Sequence, residues 1–149
     1  MHYASTLDNI VEPCGEYRSK SEAKVANVLK RNYPLVEYEK PLFLMDRGSE
    51  RCWRPDFSLT TDFINELIVE YAGLIEFDDY AKGIRHKANT YAKNELQAVF
   101  LYPDELYSEN YVDRIRHKIL EATIRFYEYI DNPPANPRRC RTARPDFSI

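Results

Sequence analysis

One run, Leu67-Ile68-Val69-Glu70-Tyr71-Ala72-Gly73, constrains the fold more than any other part of the chain. It is short, almost wholly apolar and rich in strand formers, the pattern of a strand covered on both faces. Such a strand needs helices packed on its sheet, so the chain reads as α/β. Glu70 is the one charge in the run, and a carboxylate in the middle of a central strand calls for a partner or a task.

The flanking segments complete the reading. Ser19-x-x-Glu22 has the spelling of a capping box, and Ala23, Val25, Ala26, Val28 and Leu29 follow at helical spacing until Asn32 and Pro34, which predicts a helix over 20–32. Leu35 to Leu44 alternates as a strand, with Pro41 placing it at an edge or bulge. A turn at Asp46-Arg47-Gly48-Ser49 leads to a second strand, Cys52–Leu59, which carries Asp56. After the apolar third strand, Asp78 or Asp79 can cap a helix running to about Lys93. Leu96–Tyr102 is a fourth strand ending at Pro103. Ser108 opens a long helix over 109–131, with Tyr111, Ile115, Ile119, Ala122, Phe126 and Ile130 on one stripe. The expected fold is thus a small mixed four-stranded sheet flanked by helices, plus a long C-terminal helix.

The expected organisation is an irregular N-terminal arm over 1–18, a folded domain over 19–131, and a Pro/Arg-rich tail over 132–149. Arg54-Pro55-Asp56-Phe57-Ser58 recurs in that tail as Arg144-Pro145-Asp146-Phe147-Ser148, at a spacing that matches no repeat architecture.

With 149 residues, 44% of them hydrophobic, the chain can bury one core, and collagen-like or wholly disordered classes are excluded. No stretch nears the roughly 18 apolar residues of a membrane span, and the N-terminus lacks the basic and apolar regions of a secretory signal. A cytoplasmic protein that avoids membranes is expected, with Cys14, Cys52 and Cys140 as free thiols. Net charge is −3, unevenly spread: from Arg138 onward it is +3, leaving −6 for residues 1–137. A polyanionic partner must therefore be met by local cations, by the tail, or by bound metal ions.

Chemistry gathers around few residues. At about 100° per residue, Tyr80, Ile84, Lys87, Ala88 and Tyr91 share one helical stripe, with Lys82, Arg85, His86, Asn89 and Lys93 opposite. Lys87 either snorkels along its stem or meets an inward carboxylate. Asp56 and Glu70 sit in strands that can pair. They are either ion-paired acids or two carboxylates converging on a hard divalent cation. Glu22 either completes the capping box with Ser19 or reaches the same cation. His2, His86 and His117 lack metal-ligand spacing and are expected on the solvated surface. There is no phosphate-binding glycine loop, GxSxG, HExxH or CxxC.

The ordered set Arg18-Ser19-x-x-Glu22, Tyr38-Glu39-x-Pro41, Arg54-Pro55-Asp56-Phe57, Val69-Glu70-Tyr71-Ala72-Gly73, Tyr80 and Lys87-x-x-x-Tyr91 resembles the PD-(D/E)XK nuclease superfamily. The resemblance covers residues 18 to about 106 and implies a restriction-endonuclease-like core. Where that superfamily places a lysine two residues after the glutamate, this chain has Ala72, and some branches move the ammonium to the following helix. Lys87 is the natural candidate, with Glu39 and Lys40 behind it.

The resemblance further implies that Asp56, Glu70 and the Tyr71 backbone carbonyl ligate Mg²⁺ or Mn²⁺, with Glu22 in support, directly or through water. Lys87 would then act on the attacking water in phosphodiester hydrolysis. The implied activity is a Mg²⁺-dependent deoxyribonuclease, most simply an endonuclease, working on DNA. Lys82, Arg85, Lys93, Arg138, Arg139 and Arg141 would contact phosphates, and two copies could pair as a homodimer. The alternative is a degenerate nuclease fold that binds nucleic acid or a protein without cutting.

Overall fold

A computed structural model describes residues 16–62 and 64–131. Most of the N-terminal arm, the 132–149 tail with its Arg144–Ser148 repeat, His2, Cys14 and Cys140 lie outside the described residues. Helix α1, Lys20–Asn32, starts where the sequence places it. Ser19 Oγ accepts the Glu22 N–H at 3.1 Å, a cap worth about 1 kcal/mol. Ala23, Val25, Ala26, Val28 and Leu29 form its buried face.

Between α1 and the central strand the chain is cut more finely than its alternation suggests. The expected strand over 35–44 is two strands, β1 (Glu37–Tyr38) and β2 (Leu42–Asp46). Glu39 between them takes a left-handed φ of 50°, and Pro41 has no N–H to give a ladder. The expected strand over 52–59 is also two, β3 (Ser49–Trp53) and β4 (Phe57–Leu59). β2 and β3 pair as a separate hairpin running from Leu42↔Trp53 to Asp46↔Ser49. Its turn holds Arg47 at φ 52° and Gly48 at φ 78°, the left-handed pair that a tight hairpin turn demands.

β5 (Leu67–Tyr71) and β6 (Gln97–Leu101) complete a four-stranded mixed sheet in the order β1-β4-β5-β6. The first two joins are antiparallel and the last is parallel. β5 is interior, with Leu67 through Glu70 all buried. The parallel join is made by helix α2, Asp78–Lys93, as a crossover. Neither Asp78 nor Asp79 caps α2. The cap residue is Phe77, which gives no side-chain bond, and both aspartates lie in the first turn, where they answer the positive end of the helix dipole.

After β6 comes a short helix the sequence did not announce, α3 (Pro103–Leu106), with Pro103 at its start and the Tyr102 N–H donating to Glu105 Oε2 at 2.8 Å. Helix α4, Tyr111–Asp131, buries Ile115, Ile119 and Ala122, with Tyr111 and Phe126 packed beside them. Ile130, assigned to the same stripe, is exposed, because the helix has by then run past the sheet's core.

Strand alternation divides the core. Phe57, Leu59, Leu67, Val69, Val99 and Leu101 share one cluster with α1, α3 and α4. Ile68, Ala72 and Phe100 share the other with α2 and with Leu42 and Leu44 of the hairpin. Asp56 and Glu70 adjoin Phe57 and Val69 in sequence and therefore face the α2 side. The hairpin is clamped there: Met45 donates its N–H to Asn94 Oδ1, and Asn94 Nδ2 donates to the Met45 carbonyl, both at 2.8 Å.

His86 departs from its expected surface position. It is half-buried against Trp53, with ring centroids 6.0 Å apart, and its Nε2 lies 3.0 Å from Asp46 Oδ1. The hairpin folds over that side of α2, a placement no helical phase could disclose. His117 is exposed beside Glu121, as expected. No helix among the described residues is long and apolar enough to cross a membrane.

Candidate active site

Sheet register builds the site. β4 and β5 pair Phe57 with Val69, and one residue further along the same antiparallel ladder Asp56 comes opposite Glu70. Both are buried, at 5% and 1% exposure. The Tyr71 N–H donates to Asp56 Oδ2 at 2.8 Å, and the Asp56 carbonyl accepts from the Glu39 N–H at 3.1 Å. The acid is thereby fixed by backbone on both sides.

Glu70 is met from α2. Lys87 Nζ donates to its Oε2 at 3.3 Å and the Tyr91 hydroxyl to its Oε1 at 2.5 Å. Positions 87 and 91 are one turn apart, so a single helix face delivers both. The Lys87 side chain is 41% exposed: its stem runs along the helix while its ammonium reaches the buried acid, so the two readings of its phase are both in part correct. Beyond them the Tyr80 hydroxyl donates to the Tyr71 carbonyl at 3.3 Å.

The charges in this pair of strands are crowded. Burial first, and the Glu70 charge second, push Asp56 up from its ordinary 3.8 to about 6, against the opposing pull of the Tyr71 N–H and Lys87. Burial and the Glu70 charge also drive the Tyr91 hydroxyl far upward, which keeps it a proton donor at any working pH.

Glu22 resolves differently from either reading. Ser19 makes its half of the capping box, but the Glu22 carboxylate does not return to Ser19. Its Oε2 accepts from the Arg18 N–H at 3.1 Å and from the Tyr38 hydroxyl at 2.7 Å. Arg18 then bridges the acids: Nη2 lies 2.8 Å from Asp56 Oδ1 and 3.6 Å from Glu22 Oε1, and Nε lies 3.0 Å from Glu39 Oε1. Sequence reasoning did not select Arg18 as a site residue. The available signal was its position directly before the cap, where a backbone turned toward Glu22 also carries its side chain across the sheet's end.

The remaining candidates stay outside this cluster. Lys40 points to Glu37 and Glu66, at 4.0 and 3.9 Å. Lys82, Arg85 and Lys93 are exposed along α2, and Arg138, Arg139 and Arg141 lie outside the described residues. Ala72 is fully buried, and its N–H donates to the Leu101 carbonyl at 2.8 Å. Cys52 is an exposed free thiol.

The donors fit a hard cation in kind. Asp56, Glu70 and the Tyr71 carbonyl offer only oxygen, and Mg²⁺ is commonly held by one or two carboxylates with water and phosphate completing its shell. Among the described residues no three His, Cys, Asp or Glu side chains converge on one ion position. Glu22 is joined to Asp56 through Arg18, which contacts both. Comparison with protein-family models, with curated proteins and with solved structures finds no match.

Proposed function

We propose that the chain is a metal-dependent deoxyribonuclease on a restriction-endonuclease-like core, cutting phosphodiester bonds with Mg²⁺ or Mn²⁺. The observation that carries this reading is the buried Glu70 carboxylate beside Asp56, with the Lys87 ammonium 3.3 Å from it. Two carboxylates and an ammonium at one sheet end are the groups that phosphodiester hydrolysis needs, and Lys87 takes the part for which Ala72 has no side chain.

Asp56, Glu70 and the Tyr71 carbonyl would hold the ion. A bound divalent cation polarises a phosphoryl oxygen and lowers the pKa of its water. Lys87 orients that water or offsets charge building on the phosphate, and Tyr91 fixes the Glu70 carboxylate so that Oε2 stays turned to the ammonium. Lys82, Arg85, Lys93 and the tail arginines 138, 139 and 141 position the strand through phosphates without reading bases. A divalent cation bound there would bring positive charge to the site, against the −6 of residues 1–137.

A second reading, a nuclease fold that binds without cutting, has its own support. Arg18 already occupies Asp56 Oδ1 at 2.8 Å, and position 72 is closed by packing. The two part in one experiment on the full chain: cleavage of labelled single-stranded, duplex and branched DNA with Mg²⁺ or Mn²⁺, beside EDTA and an Asp56→Ala/Glu70→Ala variant. Metal-dependent cutting lost in the variant supports the enzyme. Binding without cutting supports the module.

A further inference from the structure

We propose that Arg18 is a tethered counter-ion that competes with the divalent cation for Asp56, and so sets the cation concentration at which the site loads. This rests on the nuclease reading above, whose ion it concerns. One guanidinium contacts carboxylates from three separate segments: Glu22 on α1, Glu39 between β1 and β2, and Asp56 before β4. Asp56 and Glu22 are buried, at 5% and 8% exposure, yet the Arg18 side chain that answers them is 62% exposed. It can leave toward solvent without opening the core.

The carboxylates do not need the guanidinium to stay in place. Asp56 Oδ2 is held by the Tyr71 N–H. Glu22 Oε2 is held by the Tyr38 hydroxyl and by the backbone N–H of residue 18, which any substitution there retains. Removing the side chain therefore exposes a formed acidic site rather than collapsing one.

Charge points the same way. Among the described residues, Glu22, Glu39, Asp56 and Glu70 are ion-paired by Arg18 and Lys87, an excess of two negative charges within these pairs, with the Arg54 guanidinium beside them on the Glu39 carbonyl at 3.3 Å. Arg18 keeps this excess tolerable in the ion-free protein, and a divalent cation cancels it. Arg18 already lies against Asp56 Oδ1 at 2.8 Å, so a divalent cation held by Asp56 would share that carboxylate with the guanidinium, and each would weaken the other's hold by mutual repulsion. An arginine placed only to stiffen the acids predicts the opposite sign, because loosened ligands bind ions less well.

The test is calorimetric titration of Mn²⁺ into the full chain as wild type, Arg18→Ala and Arg18→Lys, with thermal melts in EDTA and in Mn²⁺. An exposed charge pair limits the effect, so Arg18→Ala is expected to bind Mn²⁺ about three- to tenfold tighter, with Arg18→Lys between it and wild type. In EDTA the Arg18→Ala variant melts below wild type, and Mn²⁺ raises its Tm by more than it raises the wild type's. Unchanged or weaker Mn²⁺ binding by a folded Arg18→Ala overturns the competition while leaving the nuclease reading standing. Absence of Mn²⁺ binding in every folded variant overturns both.

Discussion

Tyr91 donates its hydroxyl to Glu70 Oε1 at 2.5 Å, joining the most buried acid among the described residues to the helix that crosses over it. Tyr91 is itself 1% exposed, so no water can replace the bond when it is removed. Tyr91→Phe is expected to lower stability by about 1–3 kcal/mol, the cost of leaving a buried charged acceptor short of a donor. Urea denaturation measures it, and a loss below about 0.5 kcal/mol contradicts the role assigned here.

The titration of Asp56 gives stability a definite pH slope. Its carboxyl takes up a proton at about 6 in the fold against an ordinary 3.8, so between those values the folded chain binds more protons than the unfolded one. The contribution from this group is complete below about 3.8 and is lost as pH rises through 6. Asp56→Asn removes that loss. In EDTA, the Tm of Asp56→Asn minus that of wild type should climb between pH 4.5 and 7.5; a flat difference refutes the assignment.

Substituting Lys87 separates catalysis from binding. Lys87→Met keeps the apolar stem and removes the ammonium that touches Glu70. On the nuclease reading, single-turnover cleavage falls by roughly a hundredfold or more, as when one preorganised charge-stabilising donor is lost. Affinity for labelled DNA, measured by anisotropy in Ca²⁺, changes by less than about threefold, in line with the weak energetics of one partly exposed contact. Equal losses in both readouts would place Lys87 in the DNA grip instead.

How much of this was legible in the sequence varied with the range of the cause. Helix α1 was readable to the residue because Ser19, the apolar period and Pro34 are all local. The burial of β5 followed from its own composition, and helical phase turned Lys87 inward while leaving open whether it snorkels or meets an acid. The hairpin's turn at 46–49 was readable, but its separation from the main sheet was not, because splitting 35–44 and 52–59 into four strands depends on Glu39 adopting a left-handed φ and on the chain crossing between two sheets. The bridging role of Arg18, which opens the ordered set, was hidden for a related reason: its partners are 4, 21 and 38 positions away, and only the folded sheet end brings them together. His86 was misplaced because its neighbour Trp53 arrives on that same hairpin.

Asn94 tests the attachment of the hairpin. It pairs with both backbone groups of Met45, much as a neighbouring strand would. Asn94→Ala is expected to cost about 1–3 kcal/mol for the two bonds and to speed amide hydrogen exchange across 42–53 ahead of β5. Uniform acceleration over the whole sheet would mean that the hairpin and sheet open as one unit.

The packing around Ala72 restricts which substitutions such a chain can accumulate. Ala72 shares a closed cluster with Ile84 and Ala88, so a lysine at 72 would have to push an ammonium into volume those side chains fill. Lysine at 87 asks for no such room, since its head arrives from a half-exposed helix position. With this packing an ammonium is accommodated far more readily at helix position 87 than at position 72 after the strand, and placing one at 72 requires α2 to give way at the same time.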